Sequence, residues 1–160
     1  MLALFKIPEN KLKVPKGLIV ALDGINNPGN LGTIIRLCDW FGVQHLICSN
    51  DTVDCYNSKV VQASMGSLPR VTISYTDLQE YLKSVTLPTF IADMAGENVY
   101  HTKLSSTAVL VLGSESNGIS DSIRKIVDTK ISIPRFGNYQ LTESLNVATA
   151  TAILLSEFRR

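Results

Sequence analysis

The sequence is poor in charge, in cysteine and in long apolar runs. Charged residues make up 18% of the 160 residues, and 15 Lys+Arg against 14 Asp+Glu leave a formal net charge of +1. A balance so close to zero gives no independent argument for a nucleic-acid partner. No apolar run approaches the roughly 18 residues needed to cross a membrane, and the N-terminus lacks the pattern of a secretory signal peptide. We therefore expect a cytoplasmic protein with no membrane partner.

Metal-ligand spacings are also missing. The three cysteines, Cys38, Cys48 and Cys55, form no CxxC pair, and His45 and His101 lie far apart in the chain. These spacings argue against a zinc site, so no metal is predicted. Cys38 and Cys48 lie in apolar stretches and are predicted to be buried thiols.

Short apolar runs rich in β-branched residues alternate with helical patterns along most of the chain. Such runs are typical of strands that are covered on both faces. The predicted strands are 17–24, 44–50, 70–75, 87–94, 108–115 and 130–134, and the predicted helices are about 29–42, 57–65, 76–84, 119–127 and 142–158. The alternation predicts an α/β domain with a mostly parallel sheet and helices on both faces.

The first 16 residues have a different character. They contain Pro8, Pro15 and four lysines, and they show no sustained hydrophobic period. We interpret residues 1–16 as an N-terminal arm or linker and residues 17–160 as the folded domain. The linker-like composition also favours a longer native protein with a further domain before this one.

Ligands of open α/β sheets bind beyond the carboxyl ends of the strands, so the segment after the first strand, 22–43, is of interest. A turn rich in Asn, Gly and Pro leads there into a helix that Asn30 could cap. Arg36 lies opposite the apolar stripe of this helix, on the same face as Gly32, which would let a backbone or a ligand approach. The alternative is a solvated arginine beside a tight turn. The stripe consists of Ile34, Leu37, Cys38 and Phe41.

A second segment, 109–120, runs from a buried strand directly into Gly113, with Glu115 and Gly118 in the loop. A glycine at a strand end permits close approach of a ligand to the backbone. An ordinary strand-to-helix turn capped by Ser120 is the alternative reading.

A third segment, 131–158, ends a strand at Ile133-Pro134 and continues through a polar loop into a helix that Ser144 could cap. Ala150 and Ala152 make the side opposite its apolar face small as well, so this helix is predicted to be buried on more than one side. A second subunit is one way to bury it. The apolar face consists of Val147, Ala148, Thr151, Leu154, Leu155 and Phe158.

Together, these segments resemble the three signature motifs of the SpoU, or TrmH-like, RNA 2′-O-ribose methyltransferases of the SPOUT superfamily. The first reads N-N-P-G-N-L-G-T-I-I-R, the second L-G-S-E-S-N-G, and the third I-P followed by S-L-N-V-A; A-S-M-G at 63–66 is also in keeping with the family. The resemblance, which runs from about residue 17 to the C-terminus, implies a C-terminal deep trefoil knot, one of the rare exceptions to the rule against knots. It also implies S-adenosyl-L-methionine as methyl donor, a tRNA or rRNA substrate and a homodimer.

The resemblance assigns roles to individual residues. Its catalytic residues map to Arg36, Asn30, Glu115, Ser144 and Asn146. Its cofactor contacts map to Gly113, Ile133 and Leu145, with Met94, Ala95, Gly118 and Pro134 nearby. Two features depart from the family pattern: the 134–144 loop is a few residues longer and carries Arg135, and the N-terminal RNA-binding domain of many relatives is absent from this chain.

The implied reaction is an in-line displacement at a sulfonium methyl by a ribose 2′-hydroxyl. Family accounts give Arg36 the role of base, but a guanidinium keeps its proton and suits a phosphate clamp better. Two other functions stay open: a Rossmann-like dehydrogenase, which would need the missing GxGxxG fingerprint, and a non-catalytic RNA-binding module on the same fold.

Overall fold

The computed structural model describes residues 6–7, 17–139 and 141–160; the predicted arm therefore lies outside the described residues, apart from Lys6 and Ile7. The strands are β1 Ile19–Asp23, β2 His45–Ser49, β3 Thr72–Thr76, β4 Thr89–Asn98, β5 Val109–Gly113 and β6 Thr129–Ser132. The helices are α1 Pro28–Trp40, α2 Ser58–Ala63, α3 Leu78–Ser84, α4 Asp121–Arg124 and α5 Val147–Arg159, with a 3₁₀ turn at Leu68–Arg70.

The described strands form one six-stranded parallel sheet in the order β3-β2-β1-β5-β4-β6. Alternate side chains of β1 enter two separate cores: Val20 packs with α1, α2 and α5, and Ala21 packs with α3 and α4. The predicted α/β class, with helices on both faces of a parallel sheet, is confirmed. Among the residues that the structure describes, no helix has the length and apolar character that a membrane crossing requires.

Helices α1 and α5 lie side by side and run in the same direction. At their C-terminal ends, Arg159 donates from Nε to the Phe41 carbonyl at 2.8 Å and from Nη2 to the Gly42 carbonyl at 3.0 Å. At their N-terminal ends, Asn146 donates to Asn30 at 2.9 Å. The buried residues of α5 are those of the predicted apolar face, Val147, Ala148, Thr151, Leu154, Leu155 and Phe158.

Several elements have other limits or caps than the sequence predicts. The last helix begins at Val147 rather than at 142, because the side chain of Asn146, and not Ser144, accepts the first free N–H groups. Similarly, Asn27 rather than Asn30 caps α1. The helix predicted at 119–127 is only Asp121–Arg124, because the chain turns at once into β6. Strand β4 continues to Asn98, beyond the predicted end at 94.

The knot that the resemblance implies depends on the route of the chain from β6 to α5. Strand β6 lies at the edge of the sheet beside β4, whereas α5 packs against α1 and contacts β5. The chain therefore returns from the sheet edge at β6 to α5 past the ends of β4 and β5. The knot itself stays a prediction.

All three thiols are buried, Cys55 as well as the predicted Cys38 and Cys48. Burial raises the pKa of Cys38 to about 12 and raises that of Cys48 further. These cysteines belong to the core and not to the candidate site.

Gly32 serves the packing of α1 on α2 rather than the approach of a ligand to Arg36. A Cβ atom on Gly32 would lie 2.5 Å from the Ala63 Cβ and 2.7 Å from the Val60 carbonyl oxygen. Contacts this short with backbone cannot be relieved by turning a side chain. The glycine in this motif is thus required by α2.

We expect Gly32→Ala to lower the free energy of unfolding by about 1–3 kcal/mol, because overpacking outweighs the better helix propensity of alanine. Urea unfolding followed by circular dichroism measures this change. Thr33→Ala, at the exposed neighbouring position, is the control and should change stability by about 0.5 kcal/mol or less. A Gly32→Ala protein as stable as the parent would contradict the assignment.

Candidate functional site

A cavity of about 460 Å³ lies at the carboxyl ends of β4, β5 and β6, closed on one side by the start of α5. This volume suits a ligand of nucleoside size. Its walls are Ala92, Asp93, Met94, Leu112, Gly113, Ser114, Glu115, Gly118, Ile119, Arg124, Ile131, Ser132, Ile133, Pro134, Arg135, Thr142, Ser144, Leu145, Val147, Ala150 and Leu154. Most of the wall is apolar, and the polar groups lie mainly in loops that follow strands.

The loop after β5 folds back on itself and presents Glu115. Ser114 and Gly118 exchange backbone hydrogen bonds of 3.1 and 2.8 Å, and Gly118 adopts φ +65°. A Cβ atom on Gly113 would overlap the backbone of Gly118 and Ile119. Gly113 therefore allows this tight turn, which directs Glu115 toward the N-termini of α1 and α5.

The turn between β1 and α1 is held by buried hydroxyl groups. Ser49 Oγ accepts from the N–H of Gly24 at 2.8 Å, and Thr52 Oγ1 accepts from the N–H of Ile25 at 3.3 Å. The two hydroxyls also bond each other at 3.0 Å. Because the turn is fixed in this way, α1 begins at a defined point and Asn30, in its first turn, lies beside Glu115.

Asn30, Glu115 and Asn146 form a closed hydrogen-bond ring, which we call the Glu115 ring. Asn30 Nδ2 donates to Glu115 Oε2 at 3.1 Å. Asn146 Nδ2 donates to Glu115 Oε1 at 2.6 Å and to Asn30 Oδ1 at 2.9 Å. The N–H of Val147 also donates to Glu115 Oε1 at 3.2 Å. One carboxylate thereby joins all three motif segments.

The orientation of both amides in the ring follows from this network. Asn146 Oδ1 is occupied by the N–H groups of Ala148 and Thr149 at the start of α5, at 3.0 and 3.2 Å. The amide of Asn146 must therefore turn its NH₂ group to Asn30 and Glu115, and Asn30 must turn its oxygen to Asn146. The NH₂ group of Asn30 then needs an acceptor as well. The Glu115 carboxylate accepts from Asn146 on one oxygen and from Asn30 on the other.

The opposite wall is a bulge in β4. Both Ala92 and Glu97 pair with Ile131 of β6, so residues 93–96 leave the sheet. Asp93, in the bulge, forms an ion pair with Arg124 of α4, and Arg124 Nε donates to the Ile119 carbonyl at 2.9 Å. This pair holds the bulge against the end of the β5 loop.

A hydrogen bond and a close backbone approach hold the bulge against β6. Ser132 Oγ donates to the carbonyl of Gly96 at 2.9 Å. A Cβ atom on Gly96 would lie 2.6 Å from the Ile131 nitrogen, so glycine is required where the bulge rejoins the sheet.

The structure brings most of the predicted site residues together. Of the predicted cofactor contacts, Gly113, Ile133, Leu145, Met94, Gly118 and Pro134 line the cavity. Ala95 is exposed in the bulge and does not line it. Of the predicted catalytic residues, Glu115 and Ser144 line the cavity, while Asn30 and Asn146 adjoin it through the Glu115 ring.

Arg36 lies apart from this cavity. It is on the exposed face of α1, opposite the buried stripe as predicted. It is not among the residues that line the cavity, and within the described ranges no hydrogen bond or ion pair holds its side chain. The structure therefore does not place the guanidinium of Arg36 at the cavity of its own chain.

Asp93 and Arg124 are site residues that the sequence did not reveal. Asp93 follows a predicted strand, directly before the named Met94, and this position was the available signal. Arg124 lies in a short helix with no motif around it. Only the fold brings these two residues, 31 positions apart, into contact.

Two curated proteins are similar to almost the whole chain. The 23S rRNA (guanosine-2′-O-)-methyltransferase RlmB of Neisseria meningitidis is 34% identical over 157 residues, which cover 95% of this chain and 61% of that protein. The 23S rRNA (guanosine(2553)-2′-O)-methyltransferase RlmP of Bacillus subtilis is 29% identical over 168 residues, covering 98% and 63%. The chain thus spans about three fifths of the length of these relatives.

Solved structures agree with this similarity. The SpoU methyltransferase AviRb from Streptomyces viridochromogenes, in complex with the cofactor AdoMet, has a TM-score of 0.85 and 27% identity over 97% of this chain and 63% of that one. An AdoMet-bound rRNA methyltransferase from Sinorhizobium meliloti has a TM-score of 0.82 and 31% identity over 90% and 56%. The sequence profile of the SpoU rRNA methylase family matches residues 17–156, which include every segment that builds the cavity. The chain belongs to the SpoU rRNA methylase family.

Proposed function

We propose that this protein transfers a methyl group from S-adenosylmethionine to a ribose 2′-hydroxyl of ribosomal RNA in the cytoplasm. The observation that carries the proposal is the meeting of three motif segments, through the Glu115 ring, at one cavity of nucleoside size. The names of the relatives RlmB and RlmP favour 23S rRNA over tRNA.

The lining of the cavity fits S-adenosylmethionine. Apolar side chains from β5, β6 and the following loop, such as Leu112, Ile131 and Leu145, can enclose a purine ring. Carboxylates and guanidiniums both reach the lining, which suits the zwitterionic amino acid part of the molecule. Gly113, Gly118, Ile133 and Leu145 would hold it. When bound, it supplies an electrophilic methyl group on a sulfonium.

The residues around the cavity then have separate tasks. The Glu115 ring fixes the position of Leu145 and of the start of α5 against the β5 loop, and rigid positioning of this kind lowers the barrier of a displacement reaction. Arg36 would clamp the phosphate next to the reacting ribose and stabilise negative charge on its oxygen. We propose a homodimer in which Arg36 of one copy serves the cavity of the other, because it lies outside the cavity of its own chain.

The proposal is tested by two measurements on the purified protein. Calorimetric titration should show saturable binding of S-adenosylmethionine, and mass-spectrometric mapping of an incubated 23S rRNA transcript should show one new 2′-O-methyl nucleotide. Binding without methylation of any RNA would favour the non-catalytic RNA-binding alternative. Absence of binding would overturn the proposal.

We expect Glu115→Gln to lower kcat by about 10- to 100-fold, since loss of rigid positioning has effects of this size. Glutamine at position 115 places an NH₂ group against the NH₂ group of Asn30, so one hydrogen bond is lost. If the amide of Asn30 flips to avoid this, its NH₂ group faces the NH₂ group of Asn146 instead. The exposed ring should lose only about 0.5–1.5 kcal/mol of stability. Methylation kinetics and thermal unfolding measure the two effects.

Glu80→Gln is the matched control for this substitution. It removes the same charge from α3, on the other face of the sheet, where the only partner of the Glu80 side chain among the described residues is Lys83, in an exposed ion pair. Its kcat should equal that of the parent. Equal rates for Glu115→Gln and Glu80→Gln would show that the ring does not position the reacting groups.

Complementation between two inactive variants tests the shared site. Arg36→Ala should be inactive but should still bind S-adenosylmethionine, and Leu145→Arg should block the cavity, as calorimetry can verify. Co-expressed in equal amounts, the two should regain about one quarter of the parental rate, because half of the dimers carry one complete site of two. No recovery, with mixed dimers present in native mass spectra, would show that Arg36 serves its own chain.

A further inference from the structure

The loop between β6 and α5 exposes a group of large apolar side chains. Phe136 is 83% exposed, Tyr139 87% and Leu141 84%. Side chains of this kind are normally covered, and when several are exposed together they mark a binding surface. In the described part of the chain, neither ring packs against another aromatic ring.

This loop lies at the rim of the cavity. Pro134 and Arg135 line the cavity just before the two aromatic residues, and Thr142 lines it just after them. Neighbouring Cα atoms are about 3.8 Å apart, so the Cα of Phe136 is within about 7.6 Å of that of Pro134, and the Cα of Tyr139 within about 11 Å of that of Thr142. Both residues therefore lie close, along the chain, to residues that form the cavity wall.

The chemistry of the proposed reaction indicates what passes there. The reacting 2′-hydroxyl is on the ribose carbon next to the one that carries the base, so the base and the reacting oxygen arrive together. Proteins bind unpaired RNA bases by stacking them on aromatic rings and on guanidinium groups. The loop offers two such rings, with Arg135 adding a positive charge at the rim.

We propose that Phe136 and Tyr139 form a stacking surface for the unpaired base of the nucleotide that is methylated. This inference rests on the proposed function and adds to it that the target nucleotide is presented single-stranded. An aliphatic surface of the same area would cover a cofactor or a second copy equally well. Two aromatic rings in the loop that also carries Arg135 favour a base.

The first test is steady-state kinetics on an unmodified 23S rRNA transcript. Phe136→Leu and Tyr139→Leu keep an apolar side chain but remove the ring, and each should raise KM for the RNA by about 5- to 150-fold. The dissociation constant of S-adenosylmethionine should stay within about twofold of the parental value, because stacking energy is lost only for the base. Phe136→Tyr and Tyr139→Phe keep an aromatic ring, so both variants should have the parental KM for the RNA. Tyr56→Leu, at an exposed tyrosine that does not line the cavity, should change neither value.

The second test does not need turnover. Fluorescence anisotropy with labelled single-stranded oligouridine should show binding by the parent and loss of that binding in the Phe136→Leu/Tyr139→Leu double variant, whereas an RNA duplex of equal length should bind both alike. If the parent binds oligouridine through these rings but methylates no ribosomal RNA, the proposed function fails, and the two rings bind unpaired bases without serving a methylation.

Three results would overturn the stacking surface. Equal binding of oligouridine by the parent and the double variant, or none by the parent, would exclude it. Weaker binding of S-adenosylmethionine with an unchanged KM for RNA would show that the loop covers the cofactor. Dissociation of a parental dimer in sedimentation experiments on the double variant would show that the loop contacts a second copy.

Discussion

The candidate site depends on one carboxylate that must satisfy several donors at once. Glu115 accepts from Asn30, from Asn146 and from the N–H of Val147, which belong to two helices far apart in sequence. Since the amide of Asn146 is fixed by its capping of α5, the remaining hydrogen bonds of the ring have only one satisfactory arrangement. The position of α5 relative to the β5 loop, and so the shape of the cavity, follows from that arrangement.

The parallel pairing of α1 and α5 extends this constraint along both helices. The Glu115 ring joins their first turns, and Arg159 joins their last turns through the Phe41 and Gly42 carbonyls. Between these ends, the apolar face of α5 packs into the core. The two helices therefore behave as one unit whose N-terminal end forms the cavity wall and whose exposed face carries Arg36.

The features that could be predicted from the sequence are those that depend on local residue patterns. Continuous apolar runs located every strand, and the apolar face of α5 was predicted residue by residue, because burial of a helix face leaves a direct periodic record. Contacts between distant segments produce no periodic pattern in the sequence. The β4 bulge exists because Ile131 pairs with both Ala92 and Glu97, and the Asp93–Arg124 ion pair depends on that bulge. The caps were misplaced because neighbouring polar residues compete for the same role, and only geometry selects Asn27 and Asn146.

The central claim is that the three motif segments cradle the methyl donor in the cavity beside Glu115. The most direct measurement is a crystal structure with S-adenosylhomocysteine, the product that keeps the nucleoside and the sulfur. The account predicts this ligand against Gly113, Ile133 and Leu145, with the Glu115 ring intact. A ligand bound instead in the polar cleft at the ends of β1 to β3, beside Asp23 and Asp77, would contradict it.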